Sequence, residues 1–229
     1  MLYEDKHIAA INKPAGMVVH PAPGQWEGTV VNALLWRWGW NEDSMWLRPG
    51  IVHRLDKDTS GVLVIAKNRA ALEHLGTQFQ ERRVAKEYRA VVIGRMPQEE
   101  GLISYPIGRH SIHRKMMSIN SRRGRPAETA YKVEASSDTV SVVQLRPKTG
   151  RTHQLRVHLA AVSHPIVGDR VYGSVRGERL LPPPLRHFER QALHAKVIKF
   201  NHPYSGETVT VRAPYPDDFA GLVDRALST

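Results

Sequence analysis

Residues 49–68 read PGIVHRLDKDTSGVLVIAKN, a cluster of charged and hydroxyl side chains that runs directly into an apolar stretch. The part at 61–67, GVLVIAK, is rich in β-branched residues and predicts a buried strand. Asn68 follows as the N-cap of an amphipathic helix predicted over 69–79. Because the strand fixes the end of the loop before it, the polar cluster is well placed to act on a ligand.

The sequence on either side of this strand and helix carries the same two patterns. Runs of β-branched or alternating apolar residues predict further strands at 7–12, 87–94, 130–134, 139–145, 195–200 and 208–212. Helical spacing and capping residues predict further helices at 29–36, from about residue 151 and after residue 217. Many strands in succession with few helices between them indicate an α+β fold with a mixed, largely antiparallel central sheet and flanking helices.

Positive charge is concentrated in two segments of the chain. The 229 residues include 33 Lys and Arg against 22 Asp and Glu, a net charge of +11. Residues 102–133 carry a net +6 and residues 146–176 a net +5, so the remainder sums to zero. This distribution is typical of a protein that binds a polyanion, most often nucleic acid, and a solvated basic surface without a partner is the alternative.

Several classes of protein are excluded by composition. There are no cysteines, which excludes disulfide scaffolds, thiolate catalysis and cysteine-ligated metal sites. The longest apolar runs, such as 61–66, are far too short to span a bilayer. The first six residues, MLYEDK, carry two acids and do not form a secretory signal. We therefore expect a protein of the cytoplasm with no membrane partner.

The polar cluster before the predicted strand is compatible with several chemistries. Asp56 and Asp58 could form a glycosidase carboxylate pair if the segment is extended, and Arg54 and Lys57 would keep both ionised. That environment suits a nucleophile better than a general acid. A metal site from the two aspartates and His53 is a second reading, although no ligand spacing such as HExxH occurs. An ordinary solvated loop is the third.

Two further segments combine basic and aromatic residues. Residues 148–158 read KTGRTHQLRVH, and on a helix Thr152 and Arg156 would lie four apart on one face. An arginine near a helix start, beside core residues, could reach a carboxylate and hold it charged. Residues 82–88 read RRVAKEY and place Tyr88 near a strand start. This tyrosine could be a half-buried residue of the sheet, or its ring could stack on an unstacked base, and the sequence favours neither.

Taken in order, these segments resemble the RluA-type pseudouridine synthases, and within them the RluD branch. The matching pieces are INKPAGMVVHP at 11–21, GIVHRLDKDTSG at 50–61, KEYRAVVIG at 86–94, TGRTHQLRVH at 149–158, HPIVGDRVYG at 164–173, ALHA at 192–195 and HPYSGE at 202–207. The resemblance implies the pseudouridine synthase fold with a basic central cleft, as one catalytic domain over 1–229. It includes no match to the S4-like RNA-binding domain that RluD-type enzymes commonly carry.

The resemblance also implies a reaction. Enzymes of this family isomerise uridine in RNA to pseudouridine, detaching uracil from C1′ of the ribose and rejoining it through C5. No redox change or net group transfer occurs, so the resemblance implies no cofactor and no metal. Large-subunit ribosomal RNA is the implied substrate, transfer RNA is the alternative, and we expect a monomer. The rival readings are a non-catalytic RNA-binding relative and a metal-dependent nuclease that uses Asp56, Asp58 and the histidines.

Residue roles follow from the matched motifs. The resemblance implies that Asp56 is the catalytic aspartate, that Tyr88 stacks on the uracil, and that Arg156 pairs with the aspartate and keeps it ionised. Because the target nucleotide must be flipped out of its stack, Arg54 is expected to fill the space left in the RNA. Leu155 matches the aliphatic residue beside the pocket.

Other residues are expected to contact the substrate or the RNA backbone. His53, Arg151 and Thr152 are candidates for substrate binding because they lie inside the matched motifs. The first basic segment supplies the side chains expected to hold phosphates, namely Arg109, Arg114, Lys115, Arg122, Arg123 and Arg125.

Overall fold

A computed structural model describes residues 1–22, 24–39 and 50–227 of the chain. Within those ranges, no helix combines the length and the apolarity needed to cross a bilayer. In chain order the elements are β1 (Tyr3–Glu4), β2 (Ile8–Lys13), α1 (Val30–Trp38), β3 (Ser60–Ala66), α2 (Arg69–Gln80), β4 (Ala85–Ile93), β5 (Glu100–Ser104), β6 (Gly108–Arg109), β7 (Met117–Ser118), β8 (Glu128–Ser136), β9 (Val140–Pro147), α3 (Gln154–Ala161), α4 (Val175–Leu180), α5 (Pro183–Arg186), β10 (Leu193–Asn201), β11 (Thr208–Arg212) and α6 (Asp217–Leu227).

These elements group into two compact units, each made from two pieces of the chain. The first unit comprises Met1–Lys86 and Ala195–Pro214, and the second comprises Glu87–His194 and Tyr215–Thr229. The polar cluster before β3 therefore belongs to the first unit, and α3 belongs to the second. The single catalytic domain over 1–229 that the resemblance implies stays a prediction.

Strand β3 lies inside the sheet of the first unit. The strand order is β1, β2, β3, β10, and β11 pairs with β10. Every residue of β3 is buried, because its apolar run leaves no polar face to present to water. The β2–β3 pair is antiparallel, with Ile8 opposite Ala66 and Lys13 opposite Gly61. This register brings the end of β2 beside the start of β3, where the polar cluster ends.

Helix α2 packs on this sheet through the face that its sequence predicts. Asn68 is extended and its side chain accepts a hydrogen bond from the Ala71 N–H at 2.9 Å, which confirms the predicted N-cap. Leu75 is fully buried, and Leu72 and Phe79 pack against the same apolar cluster. The helix therefore holds the back of β3, the strand that follows the polar cluster.

The second unit is built on strands in the order β4, β9, β8, β5. Helices α3 and α6 cover its apolar side, where Leu159 and Leu222 are fully buried. β6 and β7 form a separate hairpin, and the apolar residues around it share a small cluster with Val157 of α3. The same helix thus contacts both the main core and the hairpin region.

The predicted α+β class is confirmed, since β1–β2, β2–β3, β4–β9, β5–β8, β8–β9 and β10–β11 are all antiparallel pairs. One local prediction is wrong. Helix α3 begins at Gln154 and not near residue 151, because His153 has a left-handed backbone with φ 54° that precedes the first helical turn. Thr152 lies outside the helix, so Thr152 and Arg156 do not share a helix face.

Replacing Gly61 by alanine is expected to lower the free energy of unfolding by about 4 kcal/mol. The backbone φ of Gly61 is +115°, a value that residues with a side chain rarely adopt. A Cβ at this position would also lie against the Ala195 backbone, 2.7 Å from its nitrogen. Thermal unfolding by circular dichroism measures the loss. Gly76→Ala in α2 is the control, because a Cβ there meets nothing within 4 Å and should stabilise the helix by about 1 kcal/mol. Equal unfolding free energies for the two variants would mean that the start of β3 does not require glycine at position 61.

Candidate active site

The loop that carries Asp56 is braced by a buried lysine. Lys13 has 0% exposure at the end of β2, and its ammonium donates to the carbonyl oxygens of Pro14, Met17 and Lys57 at 2.7, 2.9 and 2.9 Å. The Thr59 N–H donates to the Asp56 carbonyl at 3.1 Å and closes a turn. The backbone from Asp56 to Thr59 is therefore fixed by hydrogen bonds within the first unit.

Side chains of this loop differ in exposure. Leu55 is buried, Asp56 is half-buried, and Arg54 and Lys57 are exposed. The buried leucine anchors the loop while the two cations face outward. The outward position of Arg54 fits the expectation that it enters RNA, and its contact with RNA stays a prediction.

His53 is held by the body of the first unit. Its Nε2 accepts the Val64 N–H at 2.9 Å, so the proton of the neutral ring is on Nδ1. The ring stacks on Phe79 with centroids 4.7 Å apart. Burial, together with the positive charge of Lys86, lowers the pKa of His53 to about 3. His53 therefore links the start of the loop to β3 as a neutral side chain, and its predicted contact with substrate remains untested.

His53 is expected to make the protein less stable in mild acid. The unfolded chain binds this proton below a pKa of 6.5, whereas the folded state resists it down to about 3. Its contribution to stability is therefore complete above pH 6.5 and declines as the pH falls. Compared with His53→Gln, the wild type should lose about 1 kcal/mol more unfolding free energy per pH unit between about pH 6 and 4.5.

Urea unfolding at several pH values measures that difference in slope. His187→Gln is the control, because His187 is exposed and the same substitution there should leave the slope unchanged. A slope that is identical in the wild type and His53→Gln would mean that the His53 ring does not stay neutral in the folded state.

Tyr88 lies in β4 of the second unit, opposite Leu145 of β9. It is half-buried and packs against the main apolar cluster of that unit. Its neighbour Arg89 pairs with Glu87 at 2.8 Å and with Glu134 at 2.6 Å. The sheet thus fixes the backbone of Tyr88. Its half-buried side chain is compatible both with a structural role in the sheet and with stacking on an unstacked base.

Arg156 is buried in α3 and is paired with a carboxylate that the sequence did not single out. Its Nε donates to Oδ2 of Asp169 at 2.7 Å and its Nη2 donates to Oδ1 at 2.8 Å. Burial would raise the pKa of Asp169, but the hydrogen bonds and charge of Arg156 and two backbone N–H groups lower it, so the carboxylate is ionised. The expectation that this arginine holds a nearby carboxylate charged is met by Asp169. Its pairing with Asp56 stays a prediction.

The residues around Arg156 are ordered by a buried glutamine. Gln154 accepts the Arg151 N–H at 3.0 Å and the Thr149 hydroxyl at 2.7 Å, and it donates to the Glu128 carbonyl at 2.9 Å. Leu155 is buried in the main core of the second unit, and Thr152 is exposed. Gln154 was missed by the sequence reasoning, although it lies inside a matched motif.

The six basic residues expected to hold phosphates share one region of the second unit. They lie in and after the β6–β7 hairpin, and all are exposed: Arg109, Arg114, Lys115, Arg122, Arg123 and Arg125. Arg109 donates to the Arg114 carbonyl at 3.1 Å and so connects the end of β6 to the hairpin loop. Exposure is what a phosphate contact needs, and the contacts themselves remain predictions.

No metal-binding cluster is found in the part of the chain that the structure describes. Within it, no group of three or more His, Asp or Glu side chains comes together as metal ligands do. The Nε2 of His53 is occupied by the Val64 N–H, which leaves the proposed set of His53, Asp56 and Asp58 without its imidazole ligand at that atom.

Comparison with known proteins gives the family. The RNA pseudouridylate synthase family pattern matches residues 7–161, more than half of the chain. The chain belongs to this family. The resemblance inferred from the motifs is therefore confirmed, and the matched region contains Asp56, Tyr88 and Arg156.

Curated relatives match nearly the whole length of this chain. The ribosomal large subunit pseudouridine synthase D of Nitrosomonas europaea is 44% identical over 97% of this chain and 64% of its own length. The protein of the same name from Vibrio cholerae is 46% identical over 97% of this chain and 69% of its own length. The chain thus spans about two thirds of the length of these curated relatives.

Two solved structures share the fold. Human RNA pseudouridylate synthase domain containing 4 superposes with a TM-score of 0.76 at 28% identity, covering 98% of this chain and 92% of that one. Human RNA pseudouridylate synthase domain containing 1 gives a TM-score of 0.74 at 33% identity, covering 94% and 82%. Both confirm the pseudouridine synthase fold.

Proposed function

We propose that this protein isomerises uridine in RNA to pseudouridine, with large-subunit ribosomal RNA as its substrate. The observation that carries the proposal is the placement of Asp56 in HRLDKDTSG, on a turn beside two paired strands and braced by Lys13. The curated relatives, which are named ribosomal large subunit pseudouridine synthases, supply the substrate class. We further propose that it acts as a monomer in the cytoplasm.

The proposed reaction needs a carboxylate next to the ribose. Asp56 either adds to C1′ or removes the proton at C2′, and both routes break the bond between C1′ and N1. The released uracil turns so that C5 bonds to C1′. In the first route the bond between Asp56 and C1′ breaks as this bond forms, and in the second the proton returns to C2′. C5 then loses its own proton and N1 gains one. Product and substrate therefore have the same atoms, and no cofactor takes part in this scheme.

The remaining residues bind and orient the RNA in this proposal. Tyr88 stacks on the flipped uracil, and the exposed Arg54 fills the gap left in the stacked strand. The exposed cations of the β6–β7 region hold phosphates, so the affinity for RNA should fall steeply as the salt concentration rises. Arg156 supplies a fixed positive charge to the reaction.

The experiment that tests this function is carbodiimide-based mapping of pseudouridine after incubation with unmodified ribosomal and transfer RNA in EDTA. New stops at defined uridines of large-subunit ribosomal RNA are the expected result. Stops confined to transfer RNA would change the substrate class. Strand cleavage, or salt-sensitive binding of both RNAs with no new stop in either, would contradict the isomerase reading in favour of a nuclease or a binding protein.

A further inference from the structure

Residues 164–173, HPIVGDRVYG, match the family motifs but have no role in the scheme above. Their central residue, Asp169, is 1% exposed and Arg156 is 6% exposed. The two side chains form a two-pronged ion pair, Nε to Oδ2 at 2.7 Å and Nη2 to Oδ1 at 2.8 Å. A guanidinium has five N–H donors on a rigid plane. The two-pronged pair engages one edge of that plane and so sets the direction in which the whole group points.

The backbone around Asp169 holds its carboxylate in turn. Oδ1 accepts the N–H groups of Val171 and Tyr172 at 3.0 and 3.1 Å. The Gly173 N–H donates to the Asp169 carbonyl at 2.7 Å, and a Cβ at Gly173 would collide with that carbonyl oxygen. The turn therefore requires glycine and presents the carboxylate in one position.

The Tyr172 ring lies against the same guanidinium. The Cζ of Arg156 lies 5.0 Å from the centre of the Tyr172 ring. The Tyr172 hydroxyl accepts the Met117 N–H of β7 at 2.8 Å and is hydrogen-bonded to Nδ1 of His153 at 2.8 Å. The hydroxyl of Tyr172 is thus held by the hairpin and by the residue before α3.

Stability alone is a poor reason for this arrangement. Burying an ion pair contributes little net stability, because the loss of hydration offsets most of the attraction, and apolar residues of similar size would pack as well. Asp169, on its rigid turn, and Tyr172, through its hydrogen-bonded hydroxyl, instead restrict the long side chain of Arg156 to one geometry. A reaction that is stabilised by a positive charge is fastest when that charge is already held in place before the reaction begins.

We propose that Asp169 and Tyr172 are positioning residues that fix the Arg156 guanidinium for the isomerisation of uridine. This inference rests on the proposed function, in which Arg156 supplies charge to the reaction. Asp169 acts through Arg156 and not on the RNA, so its removal should slow the chemical step and leave RNA binding nearly unchanged.

A double-mutant cycle under single-turnover conditions tests this role. Asp169→Asn should slow pseudouridine formation about 100-fold and change the RNA Kd by less than about threefold. In an Arg156→Gln background the same substitution should slow the reaction by no more than about threefold, because the residue through which Asp169 acts is already gone. Asp218→Asn is the matched control, since it breaks another two-pronged pair, with Arg190, in the same unit. It should leave the rate unchanged.

Tyr172 provides a second measurement that does not depend on how well Asp169→Asn folds. Tyr172→Leu removes the ring beneath the guanidinium and should slow the reaction about 10-fold, whereas Tyr172→Phe keeps the ring and should slow it less. Both effects should disappear when Arg156 is already glutamine.

The outcomes separate this inference from the proposed function. Slowing by Asp169→Asn of the same size with and without Arg156, or a wild-type rate for both Asp169→Asn and Tyr172→Leu, would overturn the positioning role while the isomerase reading stands. A wild-type rate for Arg156→Gln would remove Arg156 from the reaction, and this inference with it. A wild-type protein that forms no pseudouridine would overturn the proposed function itself.

Discussion

Asp56→Asn is expected to slow pseudouridine formation at least about 1,000-fold while changing the RNA Kd by less than about threefold. Asparagine has the same shape as aspartate but no charge, so it can neither add to C1′ nor remove a proton from C2′. The turn that presents the residue is made by backbone groups, namely the Asp56 carbonyl and the Thr59 N–H, and survives the change. The loss should therefore appear in the chemical step and not in folding or binding.

Single-turnover rates and filter-binding affinities on the same RNA measure the two quantities separately. Asp138→Asn is the matched control, because Asp138 is exposed and the same substitution there should leave the rate and the affinity unchanged. If Asp56→Asn lost RNA binding and thermal stability together, Asp56 would be a structural residue. If it kept the wild-type rate, the chemistry would have to come from another group.

Lys13→Met is expected to lower the free energy of unfolding by about 3–5 kcal/mol, which for a chain of this size lowers Tm by about 10 °C. Methionine fills similar space but leaves the carbonyl oxygens of Pro14, Met17 and Lys57 without their shared donor. Partly buried carbonyl oxygens without partners are costly, and one of these belongs to the residue after Asp56. The variant should therefore also slow the reaction at temperatures where it is still folded.

Thermal unfolding of Lys13→Met beside Lys6→Met measures this effect. Lys6 is exposed, so its substitution by methionine should change Tm by no more than about 2 °C. Equal Tm values for the two variants would mean that the loop around Asp56 does not depend on the buried ammonium.

Local sequence signals predicted the elements that local chemistry determines. The apolar β-branched run gave β3, and Asn68 gave the start of α2, because capping involves an N–H only three residues along the chain. The start of α3 was misplaced because the left-handed His153 is held by Tyr172, nineteen residues later in the sequence. Strands β6 and β7 were not predicted, since each has two residues and no pattern of its own.

The candidate site shows the same division. Motif resemblance pointed to Asp56, Tyr88 and Arg156, yet it gave no reason to place Lys13 in the interior, because lysine is almost never fully buried. The contact between Arg156 and Asp169 depends on a turn that forms only in the folded second unit. Roles that arise from tertiary contacts of this kind become visible only once the fold is known.

The proposed function depends on Asp56 as the catalytic carboxylate. Its most direct test is chromatographic analysis of the nucleosides of one large-subunit ribosomal RNA transcript after treatment in EDTA with wild type, Asp56→Asn or Asp138→Asn. Pseudouridine should appear at the expense of uridine with wild type and Asp138→Asn, and Asp56→Asn should give none above background. No pseudouridine with the wild type, or an equal yield with Asp56→Asn, would contradict the account.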